Sequence, residues 1–115
     1  MYFVEKEYLF EATHNLEGRE KHSHQFRVKL TFSGKKNSQQ NMLINYHEIN
    51  FFWEKELKPI INDRHLNEII SKNPTCEKIA EWIASYTCEN FHKTLYSVSI
   101  DDGDVLVTYK PQKKT

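Results

Sequence analysis

Residues 22–32 read His-Ser-His-Gln-Phe-Arg-Val-Lys-Leu-Thr-Phe. His22, His24, Phe26, Val28, Leu30 and Phe32 take every second position, and Ser23, Gln25, Arg27, Lys29 and Thr31 take the alternate ones. Strand side chains point alternately to opposite faces, so this period of two predicts a half-buried strand of antiparallel type. Upstream, Tyr8, Phe10, Ala12 and His14 share a face of a second strand within residues 2–14. The two can pair across the loop Asn15-Leu-Glu-Gly-Arg-Glu-Lys21.

Downstream of the polar loop at 34–41 the spacing changes. Tyr46, Ile49, Trp53, Leu57 and Ile60 recur at three or four, predicting a helix over 46–58 with Asn45 as N-cap and Pro59 near its end. Asn73-Pro-Thr75 opens a second helix with an apolar stripe of Ile79, Ala80, Ile83 and Tyr86. Alternation returns at Tyr96, Val98 and Ile100 and again at Val105, Val107 and Tyr109, joined by the turn Asp101-Asp-Gly-Asp104. The order ββααββ is an α+β layout: an antiparallel sheet with two helices packed on one face.

A chain of 115 residues suits one domain spanning 1–115. Sixteen Lys and Arg balance sixteen Asp and Glu, which argues against nucleic acid or an anionic membrane as partner. Only 38% of residues are hydrophobic, although 13% are aromatic, and a small core of this kind suggests that an oligomer buries the remainder. No apolar run approaches the ~20 residues of a membrane span. Met-Tyr-Phe-Val-Glu-Lys-Glu at the start meets charge too early for a signal peptide, so a cytoplasmic location is expected. Pro111–Thr115 reads as a frayed tail. Cys76 and Cys88, on one predicted helix, would lie about 18 Å apart, beyond disulfide reach. Cys76 near a helix N-terminus could favour a thiolate, but both read first as small buried apolar residues.

Three of the six histidines fall between positions 14 and 24. His22 and His24 project to the same face of one strand, and His14 ends the strand beside it. Three imidazoles with no thiolate among them suit Zn²⁺ with its fourth position open, the pattern of catalytic rather than structural zinc. The competing reading is three independent histidines near strand ends. His47 and His92 read as surface residues, and Trp53 and Trp82 as core.

Phe10-Glu-Ala-Thr-His14 followed by His22-Ser-His-Gln-Phe26 resembles the 6-pyruvoyltetrahydropterin synthase family, which includes the 6-carboxytetrahydropterin synthases of queuosine biosynthesis. The family pattern continues as G-M-V-x-D-F, D-H-x-x-L-N, P-T-x-E-N and a late acid. Here these read Asn41-Met-Leu-Ile-Asn-Tyr46, Asn62-Asp-Arg-His-Leu-Asn67, Asn73-Pro-Thr-Cys-Glu-Lys78 and Asp101-Asp102. The resemblance implies the T-fold, a trimer or a hexamer of two trimers with sites at subunit boundaries, and a lyase acting on 7,8-dihydroneopterin triphosphate. Zinc would be held by His14, His22 and His24 and act as a Lewis acid on the side-chain oxygens. Asp102 would anchor the pterin through its N–H donors, with Asp101 as the alternative register, and Thr75 and Glu77 would line the substrate pocket.

The family's catalytic groups are replaced. Gly18 stands where a Cys is expected, Asn62 and Asp63 replace the Asp-His pair, and Asn45 and Lys78 replace an Asp and an Asn. Some relatives use Glu for the Cys and release a hydroxymethyl pterin, which makes Glu17 and Glu20 candidate bases beside Gly18; otherwise they are ordinary loop charges. Asp63 and His65 are a second candidate pair, or else a turn residue and a packing residue. The resemblance therefore favours a zinc-dependent synthase, most similar to the queuosine branch. Its alternatives are a degenerate homologue that binds zinc and a pterin without turnover, and an unrelated three-histidine zinc hydrolase.

Overall fold

The computed structural model describes residues 1–91 and 94–111, so His92 and the tail residues 112–115 lie outside the described residues. Strands β1 (Tyr2–His14) and β2 (His22–Gly34) form a long antiparallel hairpin, with Phe10 opposite Phe26, Ala12 opposite His24 and His14 opposite His22. A helical stretch follows in three parts: α1 (Tyr46–Phe51), a π-helical segment (Phe52–Leu57) and α2 (Lys58–Ile61). Next come a two-residue strand, β3 (Arg64–His65), a 3-10 turn (Leu66–Glu68) and the long helix α3 (Cys76–Phe91). Strands β4 (Leu95–Asp101) and β5 (Leu106–Tyr109) close the sheet in the order β3-β1-β2-β4-β5. This is the expected α+β arrangement, with helices on one face of a mostly antiparallel sheet.

The core follows the two periodicities. From the sheet come Phe10, Phe26, Val28, Leu30 and Phe32; from the helices come Ile49, Trp53, Leu57, Ile79 and Ile83, all fully buried. Asn45 caps α1 as expected, its side chain accepting from the His47 N–H at 2.9 Å. His47 is exposed, as expected of a surface residue.

Four details depart from the sequence reading. The first helical stretch runs past Pro59 to Ile61. Pro59 has no N–H to return, and its ring would crowd the carbonyl four residues back; the wider π turns just before it relieve that conflict. The inward positions consequently become Phe52, Trp53, Leu57 and Ile61, while Ile60 is only half-buried and Tyr46 is exposed. Trp82 is half-buried rather than core, its ring stacked on Tyr86 at 5.4 Å. In β4 the register shifts, since Phe32 pairs with Leu95 but Thr31 with Ser97. Tyr96 is the extra residue of this bulge. Leu95 enters the core, and Tyr96 meets Phe3 edge-on at 5.1 Å instead of joining Val98 and Ile100. Finally, β3 runs parallel to β1 at Ala12 and Thr13, an element no alternation announced.

Phe10 and Phe26 stack at 4.9 Å between the histidine end of the hairpin and Trp53. Phe26→Ala should therefore lower the unfolding free energy by about 3–5 kcal/mol. A denaturant titration with unchanged slope checks this; a loss below about 1 kcal/mol would mean that the site repacks.

Candidate metal centre

The hairpin register brings three imidazoles to one end of the helix-covered face. Ring centroids lie 4.6 Å apart for His14 and His22, 4.4 Å for His22 and His24, and 5.1 Å for His14 and His24. One ligand atom from each falls within 4.8 Å of the others. Phe26 forms a floor beneath them, 5.6 Å from His14 and 5.4 Å from His24. Ala12 opposite His24 leaves room for the imidazole above the sheet.

Two of these rings are oriented from behind. His14 Nδ1 lies 2.9 Å from the carbonyl oxygen of Pro74, and His22 Nδ1 lies 3.1 Å from that of Glu20. A carbonyl can only accept, so Nδ1 carries the proton in both and Nε2 keeps its lone pair. This is the tautomer a metal ligand needs, set by an outer partner. His14 is 2% exposed, and its Nε2 has no hydrogen-bond partner. An orphaned buried nitrogen is costly unless something fills its lone pair. Burial, reinforced by His22 and His24, holds the His14 pKa below the ordinary value against the opposing effects of the Pro74 bond and Asp102. Neutral imidazole is therefore the favoured form. The donor set and its orientation fit a borderline-soft divalent cation.

The three rings open onto a cleft of about 310 Å³. Its walls include Thr75, Cys76 and Glu77 from the start of α3 and Asp102, Asp104 and Val105 from the β4–β5 turn, with Leu16 and Arg19 at the rim. Thr75 Oγ1 accepts from the Lys78 N–H at 3.2 Å and starts the helix. In the turn, Gly103 takes φ +97°, a conformation that strains other residues, and one Asp102 oxygen accepts the N–H groups of Asp104 (2.9 Å) and Val105 (3.0 Å). The other oxygen accepts from the Cys76 thiol at 3.6 Å. Burial pushes the Asp102 carboxyl up, but the Val105 and Asp104 N–H groups, the thiol and His24 outweigh it and hold the pKa low. Burial and then the Asp102 charge push the Cys76 thiol up to about 12, which cancels any thiolate preference from the helix N-terminus.

The candidates named from sequence therefore separate. His14, His22, His24, Thr75, Glu77 and Asp102 share one cleft. Asp101 faces the other side of the sheet, in a pocket with Arg27, Lys29 and Glu7. Glu17 and Glu20 are exposed on the β1–β2 loop, outside the cleft lining. His65 Nδ1 meets Thr13 Oγ1 at 3.1 Å. Because Thr13 alternates with Ala12 and His14, that contact lies on the sheet face away from the three histidines. Asp63 is exposed at the turn before it, at φ +59°, with its N–H donating to the Glu11 carbonyl. Within one chain the fold does not bring Asp63 or His65 to the three histidines. Sequence reasoning missed the place of Cys76 in the cleft, although its position directly before Glu77 marked it.

A sheet that gathers three imidazoles at one end, beside an acidic and hydroxylated cleft at the start of a long helix, defines an α+β protein able to hold one cation in reach of a small molecule. Residues 3–108 match the family model of 6-pyruvoyl tetrahydropterin synthase, and the chain belongs to that family. No curated protein is matched by sequence. Among solved structures, Caenorhabditis elegans 6-pyruvoyl tetrahydropterin synthase is similar at TM-score 0.85 and 16% identity, over 96% of each chain. An uncharacterized protein from Wolinella succinogenes is similar at TM-score 0.79 and 13% identity, over 96% of this chain and 98% of the other. Plasmodium vivax 6-pyruvoyltetrahydropterin synthase, solved with a catalytic glutamate changed to alanine, gives TM-score 0.74 and 13% identity, over 98% and 100%. The T-fold is thereby established for this chain.

The state of Cys76 is directly testable. In a Cys88→Ser background, Cys76 should alkylate about 100-fold or more slowly at pH 8 in the folded protein than in the unfolded chain. Adding Asp102→Asn, which removes the charge and the ionised acceptor, should lower the thiol pKa and speed the reaction. Rates followed by mass spectrometry across pH check both; a folded rate equal to the unfolded one would show the thiol to be free.

Proposed function

We propose that the protein is a zinc-dependent tetrahydropterin synthase-type lyase acting on 7,8-dihydroneopterin triphosphate in the cytoplasm, in the 7-deazaguanine (queuosine) branch of the family. The observation that carries this reading is the buried, partnerless Nε2 of His14 converging with His22 and His24 at the floor of an open cleft. Zinc on these three nitrogens would supply Lewis acidity toward the vicinal oxygens of the substrate side chain. Asp102, ionised and fixed by the turn, would accept N–H groups of the pterin, as a carboxylate matched to ring donors. Thr75 and Glu77 would complete that wall. Among the described residues no helix is long and apolar enough to cross a membrane.

Proton transfer is assigned to a glutamate of the β1–β2 loop, Glu20 or Glu17, beside the Gly18 that replaces the family Cys. The catalytic glutamate of the P. vivax relative supports that choice of residue type. His65, on the far sheet face, and Asp63, exposed in the turn before it, would serve a neighbouring chain's site in the homo-oligomer (trimer or hexamer) that family membership suggests. The loss of the family's Cys, Asp and His together favours one alternative, a homologue that binds zinc and a pterin without turnover.

Mass-spectrometric product analysis with zinc-loaded protein and 7,8-dihydroneopterin triphosphate tests the reading. A carboxy-, pyruvoyl- or hydroxymethyl-pterin should appear with wild type and fall to background with His22→Ala. Glu20→Gln or Glu17→Gln should cut turnover at least about 100-fold with zinc content unchanged, for whichever glutamate is the base. Unchanged substrate with zinc bound would overturn the synthase reading in favour of the binding protein.

A further inference from the structure

The Pro74 carbonyl that orients His14 belongs to an irregular segment, residues 69–75, with no strand or long helix to fix it. Side-chain amides hold it instead. Asn67 Oδ1 accepts from the Asn15 N–H at 2.9 Å, and Asn67 Nδ2 donates to the Asn15 carbonyl at 2.8 Å. The amide thus imitates one rung of a sheet on the residue next to His14. The same Nδ2 also donates to the Lys72 carbonyl at 3.0 Å, and Asn73 Oδ1 accepts from the Glu17 N–H at 3.0 Å. One amide therefore ties together the exit of β1 and the chain that carries Pro74. An aspartate in its place could keep the acceptor bond but neither donor bond.

We propose that Asn67 is a positioning residue for the metal: by locking residues 67–74 against Asn15, it holds the Pro74 carbonyl on His14 Nδ1 and so sets the cation affinity of the three-histidine cluster. This rests on the reading that the cluster holds a divalent cation, and it is independent of substrate and turnover. With the clamp broken, His14 loses its fixed tautomer and ring angle, while His22 keeps its contact with the Glu20 carbonyl and the hairpin pairing still places His24. Outer partners of metal-binding histidines typically change affinity by about 10- to 100-fold.

The test is zinc titration of the apo-protein against a chromophoric chelator, with circular dichroism to confirm folding. Asn67→Ala should weaken the zinc Kd about 10- to 100-fold, and Asn67→Asp should fall between it and wild type. Ile83→Val, which loosens the core far from the cluster, should lower stability but keep the wild-type Kd. Should Asn67→Ala fail to fold, Asn67→Asp and the exposed-site change Asn73→Ala carry the comparison. A folded Asn67 variant within twofold of wild type, or an equal loss in Ile83→Val, would overturn the proposal. Indistinguishable zinc binding by wild type and His22→Ala would instead overturn the metal reading, and the proposal with it.

Discussion

The pairing of His14 with His22 across the β1–β2 hairpin is the constraint on which the rest depends. A one-residue slip in one strand would send its whole inward set to the opposite face. Phe10 stacked on Phe26 makes such a slip expensive, since it would carry a buried phenyl ring into water. The aromatic pair that stabilises the sheet therefore also fixes where the imidazoles stand. It gives them a floor as well, because a ring resting on Phe26 cannot fold back into the core.

Apart from Leu16 and Arg19 of the hairpin's own loop, the rest of the cleft is delivered to that hairpin end by separate segments. The chain between β3 and α3 runs past the end of β1 and is bound to the β1–β2 loop at Asn15 and Glu17 by the Asn67 and Asn73 side chains rather than by a strand. Its last residues before the helix supply Pro74 to His14, and the first turn of the helix supplies Thr75, Cys76 and Glu77 to the cleft wall. The β4–β5 turn arrives from the opposite side with Asp102, and the Cys76–Asp102 contact joins the two deliveries. The orientation of the histidines and the position of the acidic wall are thus mechanically linked through one short irregular segment.

Most of this architecture is visible in the sequence wherever a repeating pattern is long enough to reveal it. Thirteen-residue strands with clean alternation gave the hairpin and the shared face of His14, His22 and His24. The parts that were not visible are those set by tertiary context. Two residues cannot show a period, so β3 is silent, and with it the placement of His65 across the sheet from the three histidines. The π turns before Pro59 and the bulge at Tyr96 each displace a periodic set by one position, which no fixed period anticipates. Asp101 and Asp102 are indistinguishable by composition, and it is the alternation continuing from Val98 and Ile100 that turns Asp102 to the cleft side and Asp101 to the other. The outer partners of the histidines escape sequence reading for a different reason: Pro74 and Glu20 act through backbone carbonyls.

The electrostatics divide labour within the cleft. A carboxylate already accepting two backbone N–H groups and a thiol, and held below its ordinary pKa, is a strong acceptor for fixed N–H donors but a weak base at neutral pH. A thiol pushed up to about 12 stays protonated and donates; it does not attack or abstract. Cys76 is thus no displaced version of the family's missing cysteine, despite lining the same cleft. Asp102 and Cys76 together form a hydrogen-bonded wall of the cleft. Neither of these two side chains is suited to take carbon or hydroxyl protons, which leaves that task to other carboxylates in or beside the cleft, such as Glu77 within it and Glu17 and Glu20 on the adjoining loop.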